Sequence, residues 1–333
     1  MVVPFGPLTA LPFHLLVTAP PRVAKPAAQD SFTAETAAPY RDAAWLTRRQ
    51  AVSVMPSVAS LKALRGFGSK ERAAKPIVGF GDPVFNATAY AAAEQQRGAR
   101  GARKVAARSL ETTASYTDFW QGAEVDYRAL SRSLPQLPET ADELNAVAQQ
   151  LGAAPGDIHL GRDASVTTVK RTPLTDYRIV YFATHGLVAG DVKGVAEPAL
   201  ALTIPPQPTV LDNGLLTASD VAQLKLNADW VVLSACNTIA GDRPGAEALS
   251  GLARAFFYAG ARALLVTHWS VASDSATRLT TATFDNLKAD PTLGRAEAMR
   301  RAMLAYLADS AEPRDAYPAV WGPFQIIGEG AAH

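Results

Sequence analysis

Cysteine is nearly absent: one residue, Cys236, in a chain of 333. That excludes an internal disulfide framework and any zinc site built on cysteines, and it fits a reducing cytosol. The single thiol matters either as a nucleophile or as packing. An excess of one charge is also lacking, since 32 Lys and Arg stand against 31 Asp and Glu. With a net charge of +1 there is no global basic field to draw nucleic acid or an anionic membrane surface. Apolar runs of about 18 residues or more do not occur, so no segment is expected to span a bilayer. The opening stretch Met1 to Pro21 carries no Lys, Arg, Asp or Glu. It still does not read as a signal peptide, because it has no basic n-region and Pro4, Pro7 and Pro12 break any apolar h-region. The protein is therefore expected to be soluble and cytoplasmic. His14, His159 and His333 have no carboxylate or cysteine at metal-ligand spacing, so neither a metal site nor a cofactor is expected. No internal repeat is visible, which excludes a solenoid within these residues.

What is present is a globular balance, 48% apolar and 19% charged residues, enough for one large α/β domain or two small ones with a buried core. Residues 1 to about 75 alternate short apolar pieces with proline, followed by a helical pattern around Ala59 to Leu64. Val2-Val3-Pro4 reads as the tail of a strand whose upstream partner is missing. Residues 76–333 carry the regular pattern. Within them, about 86–111 is an Ala-, Gln-, Gly- and Arg-rich stretch with too few large apolar residues for a core, expected to be a mobile insertion.

Ile77 to Gly81 reads as a strand running into a turn at Asp82-Pro83. Thr140-Ala141-Asp142-Glu143 reads as a capping box opening a helix that Gly152 closes. Buried-type strands are expected at 157–160, 178–183, 230–234, 263–267 and 324–327. Helices lie between them, near 166–169, 217–224, 249–259, 274–288 and 295–308. Continuous apolar strands alternating with amphipathic helices predict an α/β fold: a largely parallel sheet flanked by helices on both faces. Ligand chemistry in such sheets sits beyond the C-terminal strand ends.

Two of those ends carry reactive side chains. His185 follows the strand at 178–183, and Cys236 follows the strand at 230–234, 51 residues later. Parallel strands would bring both to one edge of the sheet. A thiol becomes a good nucleophile only when a neighbouring base favours its thiolate, and imidazole is the usual base. Gly186 lacks a Cβ, so backbone N–H groups there can approach a developing oxyanion. Against this stands the bland alternative, a packed cysteine and a structural histidine.

A longer series of ordered motifs bears on the choice. Gly6-Pro7-Leu8 and Leu11-Pro12-Phe13 are followed by Met55-Pro56-Ser57, Gly81-Asp82-Pro83 and Leu137-Pro138-Glu139-Thr140. Next come Phe182-Ala183-Thr184-His185-Gly186 and Leu215-Leu216-Thr217-Ala218. Val232 to Thr238, Gly251 to Ala261, Trp269, and Trp321 to Gly328 complete the series. In these motifs the chain resembles the CHAT domain, a caspase-like peptidase domain of bacteria commonly joined to tetratricopeptide repeats. The His-to-Cys separation also matches the approximately 50 residues found in caspases, although the full local caspase signature is not present.

The resemblance implies a caspase-like fold and a cysteine endopeptidase acting on protein substrates. In it Cys236 is the nucleophile, His185 the proton-transfer partner, and the backbone N–H groups of Gly186 and Cys236 the oxyanion hole. It also implies an activating partner or a tetratricopeptide-repeat regulator. Asp274 and Asp82 are candidates for an acidic pocket that takes a basic P1 side chain. Each has an ordinary reading as well, Asp274 as a helix-start residue and Asp82 as a turn former. Alternatives of other classes are a catalytically silent CHAT scaffold that binds proteins and a Cys-dependent amidase or acyltransferase. Ser234 lies too close to the strand body to serve as nucleophile. His268 is expected to be structural or cleft-lining.

Overall fold

A computed structural model describes residues 1–20, 33–58, 60, 71–88, 120–121, 124–125, 130–131, 134–187, 197–209, 211–234, 248–269, 271–309 and 312–331. Most of the helical pattern at Ala59 to Leu64, the 86–111 stretch from 89 onward, and Cys236 itself lie outside these residues. In chain order the elements begin with α1 (Ala34–Asp42), β1 (Ser53–Val54) and β2 (Lys75–Gly81). A two-stranded ribbon, β3 (Trp120–Gln121) with β4 (Glu124–Val125), precedes α2 (Glu139–Leu151) and β5 (Ile158–Leu160). Then come α3 (Val166–Arg171), β6 (Tyr177–Ala183), β7 (His185–Leu187), β8 (Ala199–Ala201), β9 (Leu215–Thr217) and α4 (Ala218–Gln223). The chain continues with β10 (Trp230–Ser234), α5 (Ala248–Ala259), β11 (Ala263–Thr267), α6 (Ser273–Ala289), α7 (Arg295–Ala308) and β12 (Phe324–Gly328).

The main sheet has the order β1-β12-β11-β10-β6-β2-β5. Five strands run parallel, while β12 pairs antiparallel with β11 and takes β1 with it. At the outer edge Val2 pairs with Val54, its N–H reaching the Ser53 carbonyl at 2.9 Å. Alternate strand residues face opposite layers, which is why the strands read as unbroken apolar runs. On one face Val78, Val180, Phe182, Val231, Leu233 and Val266 pack under α3, α4 and α5. On the other, Ile77, Tyr181, Trp230, Val232 and Leu265 pack under α2, α6 and α7. Each fully buried side chain of this size contributes about 1.5–3 kcal/mol from water exclusion. A separate three-stranded sheet, β7-β8-β9, leaves the main sheet at His185.

Two glycines set how closely α2 lies on β2. A Cβ at Gly81 would come within 2.5 Å of Leu144 Cδ1, and one at Gly79 within 2.8 Å of Leu144 Cδ2. Their absence lets the helix settle against the strand and carries Glu143, beside Leu144, into the interior. The capping box expected at Thr140 does not form. Pro138 is the residue before the helix and offers no side-chain cap. The Thr140 hydroxyl instead accepts the Asp82 N–H at 2.8 Å and donates to the Leu137 carbonyl at 2.7 Å. Gly152 closes α2 in the left-handed region as its position predicts, φ 70°. No helix among the described residues is long and apolar enough to cross a membrane.

Candidate active site

β6 and β10 are parallel neighbours, with Ser234 level with Ala183. The Thr184 N–H donates to the Ser234 carbonyl at 3.3 Å, closing the ladder where both strands end. The next residue, His185, turns out of the main sheet and opens β7, opposite Ala201 of β8. Its side chain is buried, with the Phe85 ring 5.3 Å away between centroids. Nε2 lies 2.8 Å from the Pro135 carbonyl oxygen. A carbonyl can only accept, so Nε2 carries the proton and the neutral ring keeps its lone pair on Nδ1. Burial lowers the His185 pKa from its ordinary value, and the Pro135 bond opposes this. At neutral pH the ring is therefore an uncharged base in a fixed tautomer.

Asp82 lies one residue past the end of β2, whose Gly81 is level with Ala183, so it shares the edge of the sheet with Thr184. Its backbone has φ 46°, and its side chain is buried. Gln136 Nε2 donates to Asp82 Oδ1 and to the Pro83 carbonyl, both at 2.7 Å. Pro135 and Gln136 thus hold His185 and Asp82 from one short segment. Asp274 is not drawn into this group. It occupies the first turn of α6 with an exposed carboxylate 3.5 Å from Arg314 Nη2. Gly186 is paired with Leu200 in the β7–β8 ladder.

Below this edge is a buried polar group centred on Glu143, the residue whose spacing suggests a helix cap. The Tyr181 hydroxyl donates to Glu143 Oε1, and the Ser234 hydroxyl hydrogen-bonds the same carboxyl. Thr280 of α6 neighbours the Tyr181 hydroxyl and donates its own proton to the Ala276 carbonyl at 2.8 Å. Burial pushes the Glu143 pKa up to about 7, partly offset by the bonds from Tyr181 and Ser234. Burial likewise raises Tyr181 well above the usual phenol value. Ser234 is thus a structural hydroxyl and not an exposed nucleophile. His268 is structural too: buried, with Nε2 3.3 Å from Gln325 Oε1 and its ring 6.4 Å from that of His14. His14 anchors the N-terminal segment through Nε2, which donates to the Gly322 carbonyl at 2.8 Å. His159 stacks on Phe80. Among the described residues no group of three or more His, Cys, Asp or Glu is placed to hold a metal ion.

A profile of the CHAT domain matches residues 1–329. The chain belongs to the CHAT domain family. This CHAT domain is 28% identical over 228 residues to Tetratricopeptide repeat protein 28 of Mus musculus, a match covering 58% of the chain and 8% of that protein. Among solved structures it is similar to the separase–securin complex of Saccharomyces cerevisiae, with TM-score 0.44 and 10% identity. That match covers 88% of this chain and 14% of the other. The Arg-specific cysteine proteinase gingipain R gives a TM-score of 0.39 at 12% identity, covering 58% of this chain and 42% of the other. The CHAT domain thus spans less than half the length of each of these proteins.

Proposed function

We propose that this CHAT domain is a cysteine endopeptidase in which His185 activates Cys236. The observation that carries the reading is the state of His185. It is a neutral imidazole, its tautomer fixed by the Pro135 carbonyl, one residue beyond the hydrogen bond that ties the end of β6 to the end of β10. Cys236 follows Ser234 by two residues, as His185 follows Ala183.

In this scheme Nδ1 takes the Cys236 Sγ proton, and the thiolate attacks the scissile carbonyl carbon, forming the C–S bond. The resulting oxyanion is met by the backbone N–H groups of Gly186 and Cys236. The C–N bond breaks as the imidazolium returns its proton to the leaving amine, leaving a thioester. His185 then deprotonates a water that attacks the thioester, which releases the acid and restores the thiol. No metal or cofactor takes part in this sequence of steps. The basic P1 preference is assigned to Asp82, which shares its anchoring segment with His185, in preference to Asp274, which faces Arg314.

The mouse relative, named for tetratricopeptide repeats, supports a setting in which a repeat-bearing partner or fused domain regulates the enzyme. It equally suits the second reading, a silent scaffold that only binds proteins. Cys236→Ala and His185→Ala separate the two. Each is expected to lower peptide turnover by orders of magnitude while still folding, as a retained cooperative melting transition shows. Turnover retained in purified Cys236→Ala would remove the mechanism.

A further inference from the structure

The buried group under the sheet edge has a geometric relation to His185 that the hydrolytic scheme does not use. Glu143 of α2 and Tyr181 of β6 are almost wholly buried and hydrogen-bonded to each other, and the Glu143 carboxyl also meets the hydroxyl of Ser234, the last residue of β10. The carbonyl of that same serine accepts the N–H of Thr184, the residue before His185. Thr184 in turn donates its hydroxyl to the Ala201 carbonyl of β8. From the Glu143 carboxyl to the backbone beside His185 there are therefore two hydrogen bonds, one on each side of Ser234. A carboxyl is costly to bury, and the other buried residues of α2 are the apolar Leu144, Val147 and Ala148 and Thr140, whose hydroxyl is committed to Asp82 and Leu137.

We propose that Glu143 is a positioning residue: acting through Ser234, it sets the register between the end of β10 and Thr184, and with it the placement of His185. The inference rests on the dyad reading above. Ionised, the carboxylate accepts the Tyr181 and Ser234 hydroxyl protons in charge-assisted bonds. Protonated, it must turn its own O–H toward a neighbour, and one of these bonds weakens. The titratable groups that face it are Tyr181, on β6, and Glu139, one turn earlier on α2. From β10 and α6 the neighbours in the group are hydroxyls, Ser234 and Thr280. The group therefore has one acid whose ionisation changes near neutral pH, since burial raises Glu143 to about 7.

The test compares wild type with Glu143→Gln and Ser234→Ala, using two readouts. One is kcat and KM across pH on a fluorogenic peptide library. The other is the rate of iodoacetamide alkylation of Cys236, which is the chain's single thiol and needs no turnover to be read. At about pH 8 Glu143→Gln is expected to lower kcat roughly 10- to 100-fold, with KM changed by no more than about threefold. The wild-type alkylation profile is expected to show an inflection near neutrality that Glu143→Gln lacks, because an amide does not titrate. Ser234→Ala, which removes only a hydroxyl, is expected to reproduce the kcat loss. Profiles of both variants that superimpose on wild type would overturn the positioning role. If wild type and Cys236→Ala hydrolyse nothing, the peptidase reading fails, and the alkylation profile still decides for or against Glu143.

Discussion

Glu143→Gln also makes a quantitative prediction about folding, independent of any substrate. The carboxyl is 1% exposed, and its pKa stands at about 7 in the folded chain against an ordinary value of 4.5. A group whose folded pKa is raised holds its proton more tightly folded than unfolded. Its contribution is fully present below about pH 4.5 and is lost as pH rises through about 7. At 1.36 kcal/mol per pKa unit this amounts to about 3 kcal/mol, lost between acid and neutral conditions. Glutamine keeps the shape and accepts the Tyr181 proton, and its extra N–H cost is the same at every pH. The stability of Glu143→Gln relative to wild type is therefore expected to improve by about 3 kcal/mol between about pH 4.5 and 8, roughly 4 °C in melting temperature for a chain of this length. Denaturant titrations followed by tryptophan fluorescence at a series of pH values measure this difference. Using the difference cancels the opposing histidines and depressed carboxylates, which both proteins share. A difference that stays flat from about pH 5 to 8 would refute the account of Glu143 as a buried acid.

Three further outcomes are expected. Burial lowers His14 and His268 to about 4, so each contributes stability that is present above about pH 6.5 and lost as pH falls toward 4. His14→Gln should flatten the acid limb of the denaturation curve, and an unchanged limb would count against the paired buried imidazoles. Gly260, φ 114°, ends α5 where a Cβ would collide with the Leu226 carbonyl oxygen. Gly260→Ala should accordingly cost about 2 kcal/mol or more by calorimetry, and a neutral result would contradict the close approach. If Asp82 sets P1, Asp82→Asn should reduce Arg and Lys preference in a peptide library more than tenfold, while Asp274→Asn leaves it intact. The reverse ranking would return the pocket to α6.

The main layers of the fold were legible because the strands that form them are covered on both faces. The unbroken runs Trp230 to Ser234 and Ala263 to Thr267, and the stripe Leu252, Phe256 of α5, carry their packing in their own periodicity. The reversal of β12 was not legible, since an apolar strand reads the same in either direction. Nor were the three-residue strands β7, β8 and β9, which lack the length for a pattern. Thr140 misled for a different reason. Its hydroxyl has a local role open to it as a cap and a distant one at Asp82, 58 residues away, and the tertiary contact won. Glu143 was placed in that same box, although its position next to Leu144 and one turn before Val147 puts it on the buried stripe of α2. A charged residue on an apolar stripe is the signal that would have singled it out. The Pro135 carbonyl had no signal to give, because any residue supplies a carbonyl and only the fold brings this one to His185.

The central claim is that Cys236 and His185 cleave peptide bonds. It is tested most directly by incubating a proteome with purified wild type or Cys236→Ala and sequencing the new N-termini in each. The account predicts new N-termini in the wild-type digest, following basic residues, and none above background with Cys236→Ala. The same new N-termini from both proteins, or none from either, would contradict it.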